Sequence, residues 1–450
     1  MKSRDTRRVL LVNPWIHDFA AFDFWARPLG LFWLGGLLLE SGFSVDLFDL
    51  TDPLSPFLPE HLRPARRSIG AGRFYREEIP RPDVLPNIMR RFCRYGLPPE
   101  IARIALETSF EKPDAVLMTS MMTYWASGVR ESVELVKSLW PDVPVYLGGV
   151  YATLCAEHAR AESGADLVFS GALESNVELL SGLLGKKLVE PDFENILPAH
   201  QLARHADAAA LMTSRGCPYN CIYCGVKALH PQWDRLSSER VEREIHLIVG
   251  ELGIRNLALF DDAFLADNER ALDIMRRMAA MKDHFEIHAA SGISIRGLKL
   301  ETARAMKRAG FRTVRIGLET ADPATQRRLG GKVTNDEFEA ACANLAEAGF
   351  SKDEVGVYVM VGLPEQNREE VERSVDLVLQ HGLRVHLTEY SPIPGSPLFE
   401  ASCAASRYDV SEPLLQNPTI LPCGGPDLGI NEVNIIKRRI AGFFRQKLPA

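Results

Sequence analysis

Residues 213–230 read TSRGCPYNCIYCGVKALH and place Cys217, Cys221 and Cys224 on one short turn, in a chain with only eight cysteines. Three thiols so close together serve a disulfide, a structural zinc site or an iron–sulfur cluster. Structural zinc takes four closed ligands, commonly from paired C-x-x-C units, so a fourth such as His230 would have to be recruited. A cube of four irons held by three cysteines keeps one iron open to a ligand, as a catalytic cluster requires. Zinc and cluster both remain open at this point; the disulfide depends on the compartment.

The chain has 450 residues, a net charge of −7 and an ordinary hydrophobic fraction of 46%. That length predicts two to three domains with full cores. The acidic balance excludes a general polyanion-binding surface. The start, MKSRDTRRVLLVNPW, is basic, but its apolar run is too short for a signal peptide and is broken at Asn13-Pro14. LGLFWLGGLLL, the longest apolar run, is well short of a membrane span. The expectation is a cytoplasmic protein without a membrane partner. In that compartment thiols stay reduced, which disfavours the disulfide.

Over 1–185 short apolar runs alternate with helical patterns: RVLLVN, SVDLFDL, DAVLMTS, PVYLGG and DLVFSG read as strands, and each but SVDLFDL, where an insertion intervenes, is followed by a helix. This alternation predicts an α/β, doubly wound, Rossmann-type domain with a parallel sheet. Ligands of such sheets bind beyond the carboxyl ends of the strands. Those ends carry Ser120, Gly148, Gly149 and Gly171, where glycine lets a backbone approach a flat cofactor. The competing reading is that these residues only make tight turns. An insertion at about 52–110 is rich in proline and arginine with Phe74, Tyr75, Phe92 and Tyr95 interleaved. It reads as a lid-like loop, or as a surface segment whose arginines pair with the acidic remainder.

After a linker at 186–206, strands AALMTS, NLALFDD, FEIHAAS, TVRIGLET, VGVYVMVGLP and RVHLTEY alternate with helices to residue 405. Six such units predict a partial (β/α)6, TIM-like barrel over 207–405, whose chemistry sits at the strand ends. The cysteine turn directly follows the first of these strands. A tail, 406–450, holds an amphipathic helix with Val433, Ile436, Ile440 and Phe443 on one face.

CPYNCIYC resembles the C-x3-C-x-aromatic-C signature of radical S-adenosylmethionine (SAM) enzymes, and the resemblance runs along the whole second domain. It implies a 4Fe–4S cluster on Cys217, Cys221 and Cys224, with Tyr223 as the aromatic beside the cofactor. ALFDDAF resembles the segment that meets the methionine amino group, which implies Asp261 or Asp262 as the contact. IGLETADPATQRRLGGKVT implies Glu319 as a polar contact. YVMVGLPEQ implies Tyr358, Met360 and Gly362 as the adenine platform. The first domain resembles the cobalamin-binding domain of one branch of this superfamily, which implies Ser120, Gly148, Gly149 and Gly171 at the corrin. Two departures stand out. The Asp-x-His-x-x-Gly motif that ligates cobalt is missing, so His17 reads as a polar loop residue. In GLPEQ, Glu365 takes the place where relatives have glycine.

The leading expectation is therefore a cobalamin-dependent radical SAM enzyme that methylates or rearranges an unreactive carbon of a small molecule. An electron donor such as flavodoxin or ferredoxin is implied, and nucleic acid is not. Two alternatives stand beside it. One is a cobalamin-free radical SAM enzyme whose first domain binds substrate. The other is a metal- or cluster-binding protein without turnover.

Overall fold

Alternate residues of one central strand feed two separate cores. In β1 (Arg8–Asn13) Leu10 and Val12 enter one apolar cluster while Val9 and Leu11 enter another. A strand buried on both faces requires helices on both sides, the condition of a doubly wound sheet. The computed structural model describes residues 6–203 and 205–445. β2 (Ser44–Asp49), β3 (Ala115–Met118), β4 (Val145–Leu147) and β5 (Leu167–Val168) complete a parallel sheet in the order β2-β1-β3-β4-β5. The order reverses at β1/β3, and the crevice beyond those strand ends is where such a sheet takes its ligand.

The chain divides into two compact units, 1–211 with 243–256 and 212–242 with 257–450. The stretch expected as a linker, 186–206, belongs to the first. Leu188, Ile196 and Ala199 are buried, and the Leu197 carbonyl lies where a side chain at Gly36 would stand, so the segment lies over helix Leu29–Glu40. That helix is apolar nearly all round, and the segment covers the face that the sheet leaves open.

The insertion is shorter and more ordered than a lid. Arg76–Glu78 and Cys93–Tyr95 pair antiparallel with Ile16–Asp18, while Pro99–Ser109 is the crossover helix that leads to β3. Phe74, Phe92 and Tyr95 are buried. Arg66 pairs with Asp23 (2.5 Å) and Asp207 (2.8 Å), and Arg94 pairs with Glu131 and lies over Trp15. These arginines hold the fold. His17 likewise departs from the polar-loop expectation. It sits on a short strand, only 5% exposed, with Nε2 at 2.7 Å from Glu131 and Nδ1 at 3.2 Å from Ser127 Oγ. Its burial was unreadable because the pairing strand lies almost eighty residues away.

The second sheet runs in strict chain order: β6 (Ala209–Leu211), β7 (Asn256–Leu259), β8 (Glu286–Ile293), β9 (Phe311–Glu319), β10 (Val355–Val361) and β11 (Arg384–Glu389). Helices Asn268–Ala280, Leu300–Arg308, Asn335–Glu347 and Arg368–Gln380 connect successive strands. In β10, Val357, Val359 and Val361 are fully buried on the outer face, whereas Tyr358 is half-buried on the lumen face. In the tail, helix Ile430–Arg445 buries Val433 and Ile436 and ties to the barrel through Lys437–Glu389 and Arg439–Asp376 ion pairs. Among the described residues no helix is long and apolar enough to cross a membrane.

Candidate functional site

The expected first strand stops early, and the reason builds the site. Asp261, 3% exposed at the end of β7, accepts hydrogen bonds from Thr213 N (2.9 Å), Thr213 Oγ1 (2.8 Å) and Ser214 Oγ (2.6 Å). Those bonds draw Thr213–Ser214 out of the parallel ladder. Ser214–Arg215 pairs instead with Asp234–Arg235, forming an antiparallel base for the cysteine loop. Asp261 is thus fully engaged, and the neighbouring Asp262 is the carboxylate that faces Cys217 and Cys224. Burial, with Asp261 adding repulsion, pushes the Asp262 carboxyl up to about 6.

Gly216 opens the loop at φ 77°, and a side chain there would strike the Gln232 carbonyl. Ile222 N donates to Leu329 O (3.3 Å) and Leu398 N to Ile222 O (2.9 Å), pinning the loop from both sides. Cys217, Cys221 and Cys224 are partly exposed, and burial pushes the Cys224 thiol up to about 11. Among the described residues no three His, Cys, Asp or Glu side chains converge as the ligands of a single metal ion do. A four-iron cube takes three thiolates on separate irons and keeps one iron open, whereas structural zinc wants four ligands.

Glu319 ends β9 in the left-handed region at φ 63°, beside a register shift between Gly317 and Glu319. Such a backbone costs about 1–3 kcal/mol and persists only where its surroundings over-determine it. They do so here. Thr320 Oγ1 donates to Glu370 (2.9 Å), Ala321 N to Ser374 Oγ (2.8 Å), and Gln326 Nε2 to both Thr320 O and Asn335 Oδ1 (2.8 Å each). The Glu319 side chain lines one cleft with Tyr223, Gln326 and Lys332. Burial raises its carboxyl, while Lys332, with Nζ at 4.0 Å, and Tyr223 oppose the rise.

Lys332 escaped the sequence reading. It also acts electrostatically on all three cysteines, but it arrives on the loop before helix Asn335–Glu347, where no strand-end logic points. Its only signal was its place in GGKVT.

Tyr358 and Met360 share the lumen face of β10. Around Gly362, at φ 87°, the buried Gln366 organises three backbone groups. The Gln366 Oε1 accepts from Gly362 N (2.9 Å) and Leu363 N (3.3 Å), and Nε2 donates to Met360 O (3.1 Å).

In the first unit the four expected strand-end residues divide by role. Ser120 Oγ donates to Gly148 O (2.7 Å) and accepts from Ala152 N (3.2 Å), while a side chain at Gly149 would strike Ser120 O. Ser120 and Gly149 therefore build the turn. At Gly148 and Gly171 a Cβ would meet nothing within 4 Å. Those two leave open space that a wide, partly apolar face can approach.

Comparison with known proteins identifies two domains along the chain. Residues 211–378 match the radical SAM superfamily and 94–180 match the B12 binding domain. An uncharacterized methyltransferase of Pyrococcus horikoshii is 26% identical over 60% of this chain and 65% of its own length. The hopanoid C-2 methylase of Rhodopseudomonas palustris is 26% identical over 42% and 39%. The chain thus spans less than two thirds of either relative. In structure it is similar to the radical SAM methyltransferase TsrM of Kitasatospora setae, with TM-score 0.64 at 16% identity, over 89% of this chain and 77% of that one. That likeness establishes the fold. The chain carries a radical SAM domain preceded by a B12-binding domain.

Proposed function

We propose that this protein is a cobalamin-dependent radical SAM enzyme that methylates an unreactive carbon of a small molecule. The observation that carries the reading is the meeting of the glycine-hinged cysteine loop with Glu319, Asp262 and Lys332 at the barrel's strand ends. Cys217, Cys221 and Cys224 would hold the 4Fe–4S cluster, which when bound supplies the electron that cleaves the sulfonium of SAM. Asp262 would accept hydrogen bonds from the cofactor's ammonium, and Lys332 and Glu319 would serve its carboxylate and ribose. Tyr358, Met360 and Gly362 offer the adenine a flat, partly apolar wall. The residues position the cofactor and exclude water; the cofactor carries the radical chemistry. Gly148 and Gly171 leave room for the corrin, and His17, held by Glu131, stays off the cobalt. A small acidic electron carrier, flavodoxin or ferredoxin, completes the set.

Iron and sulfide analysis of anaerobically purified protein tests the first part. Full cluster retention in Cys221→Ala, or stoichiometric zinc in place of iron, overturns it. Incubation with hydroxocobalamin under reducing conditions tests the second. Retained cobalamin whose spectrum is the same in His17→Ala supports it. SAM cleavage with no cobalamin retained would establish the cobalamin-free alternative.

A further inference from the structure

Three arginines taken largely out of water are neutralised by carboxylates: Arg27 and Arg66 by Asp23 and Asp207, Arg94 by Glu131. This is the general rule for charge taken out of water. Arg315, on the lumen face of β9 four residues below Glu319, departs from it. Among the described residues its guanidinium makes one hydrogen bond, Nη1 to the Val314 carbonyl at 3.2 Å, and the groups that act on its charge are Tyr358 and Arg384 rather than any carboxylate. Arg384 is itself exposed and paired with Asp353 at 3.2 Å.

His386 of β11 shares this place. The Cβ that Gly356 lacks would lie 2.6 Å from His386 Nε2 and 3.0 Å from Arg315 Cδ, so the glycine makes the room in which the two converge. His386 Nε2 is buried and, among the described residues, has no hydrogen-bond partner. Arg315, Tyr358, His386 and Thr388 are all half-buried, which leaves the lumen face of these strands open, in contrast to the sealed outer face. Burial and the neighbouring arginines also hold the His386 imidazole down at about 4. It stays neutral at physiological pH and can donate one hydrogen bond without a second charge to desolvate.

We propose that the barrel lumen binds an oxyanion of the substrate, a carboxylate or a phosphate, on the Arg315 guanidinium with His386 Nε2 as a second donor. A guanidinium fork beside an imidazole N–H matches the paired oxygens of either group. The inference rests on the enzyme reading above and deepens it by assigning the substrate a negative charge. It also implies that Arg315 burdens the empty protein, because a half-buried charge without a facing carboxylate costs stability until a counter-charge arrives.

The test is thermal melting of the anaerobically purified full chain with added inorganic phosphate or acetate, against chloride at equal ionic strength. We expect a saturable rise in melting temperature with one of the two anions, and the anion with the larger rise names the group. Arg315→Met should melt no lower than the wild type without anion and lose the rise. Arg315→Lys should restore part of it, and Arg384→Gln should keep it. No rise with either anion, or a rise that survives in Arg315→Met, overturns the proposal. So does a phosphate or acetate rise abolished by SAM, which would hand the site to the cofactor. Substrate-free SAM cleavage by the wild-type protein, measured separately, reports on the enzyme reading.

Discussion

Glu319 folds back over Gly317, so that any side chain at Gly317 would collide with Glu319 Oε1. The glycine two residues upstream is therefore part of the carboxylate's seat. The register shift between them turns Glu319 into the left-handed region, and the Thr320–Glu370 bond holds it there.

Gly317→Ala should displace the carboxylate without touching the cysteine loop. The expected loss is about 1–3 kcal/mol in SAM binding, the range for one charge-assisted hydrogen bond. Equilibrium binding to the reduced protein measures it, and iron content should stay at the wild-type level. Unchanged affinity would show that Glu319 is not a cofactor contact.

The adjacent aspartates should separate cleanly. In Asp261→Asn a single amide oxygen cannot accept all three bonds from Thr213 and Ser214, so stability should fall by about 1–3 kcal/mol. Asp262→Asn should melt like the wild type and bind SAM more weakly. The reverse pattern would exchange the two roles.

Glu365 stands at φ 65°, in the left-handed region that favours glycine. Relief of that backbone outweighs the extra entropy that glycine adds to the unfolded chain. Glu365→Gly should therefore be stabilising, by up to ~1 kcal/mol in a denaturant titration. Gln366→Glu should be destabilising, because a carboxylate cannot donate to Met360 O.

His288, fully buried against Thr313 and facing Arg312 and Arg315, is held down to about 4 by burial and then by those two cations. The unfolded chain takes up that proton first as pH falls below 6.5. The contribution to stability is therefore complete above 6.5 and is lost progressively down to about 4, a change on the order of 3 kcal/mol. Asp49 and Asp262, both raised to about 6, slope the other way. The difference between wild type and His288→Gln isolates the histidine, and it should flatten the acid side of the melting curve.

What could be read from the chain was what is local. Strand periodicity located both sheets, and cysteine spacing located the loop, because each signal lies within one element. Residues whose roles depend on distant partners were not legible. Asp261 and Asp262 are equivalent in sequence and differ only in which one Thr213 and Ser214 occupy. The strands at 76–78 and 93–95 are three residues long and take their order from Ile16–Asp18. Arg315 looks like one more charged residue until the absence of a facing carboxylate sets it apart.

The segment 243–256 packs with the first unit although the chain on both sides of it belongs to the second. A cut placed at 186–206 would leave an N-terminal fragment without those fourteen residues. It would leave a C-terminal fragment with a stretch whose buried side chains, Ile245, Ile248 and Val249 among them, had lost their covering. The two units are thus not interchangeable cassettes. Recombination that brings a new first unit to this barrel must replace a piece in the middle of the gene as well, so lineages of this architecture should exchange both units together or neither.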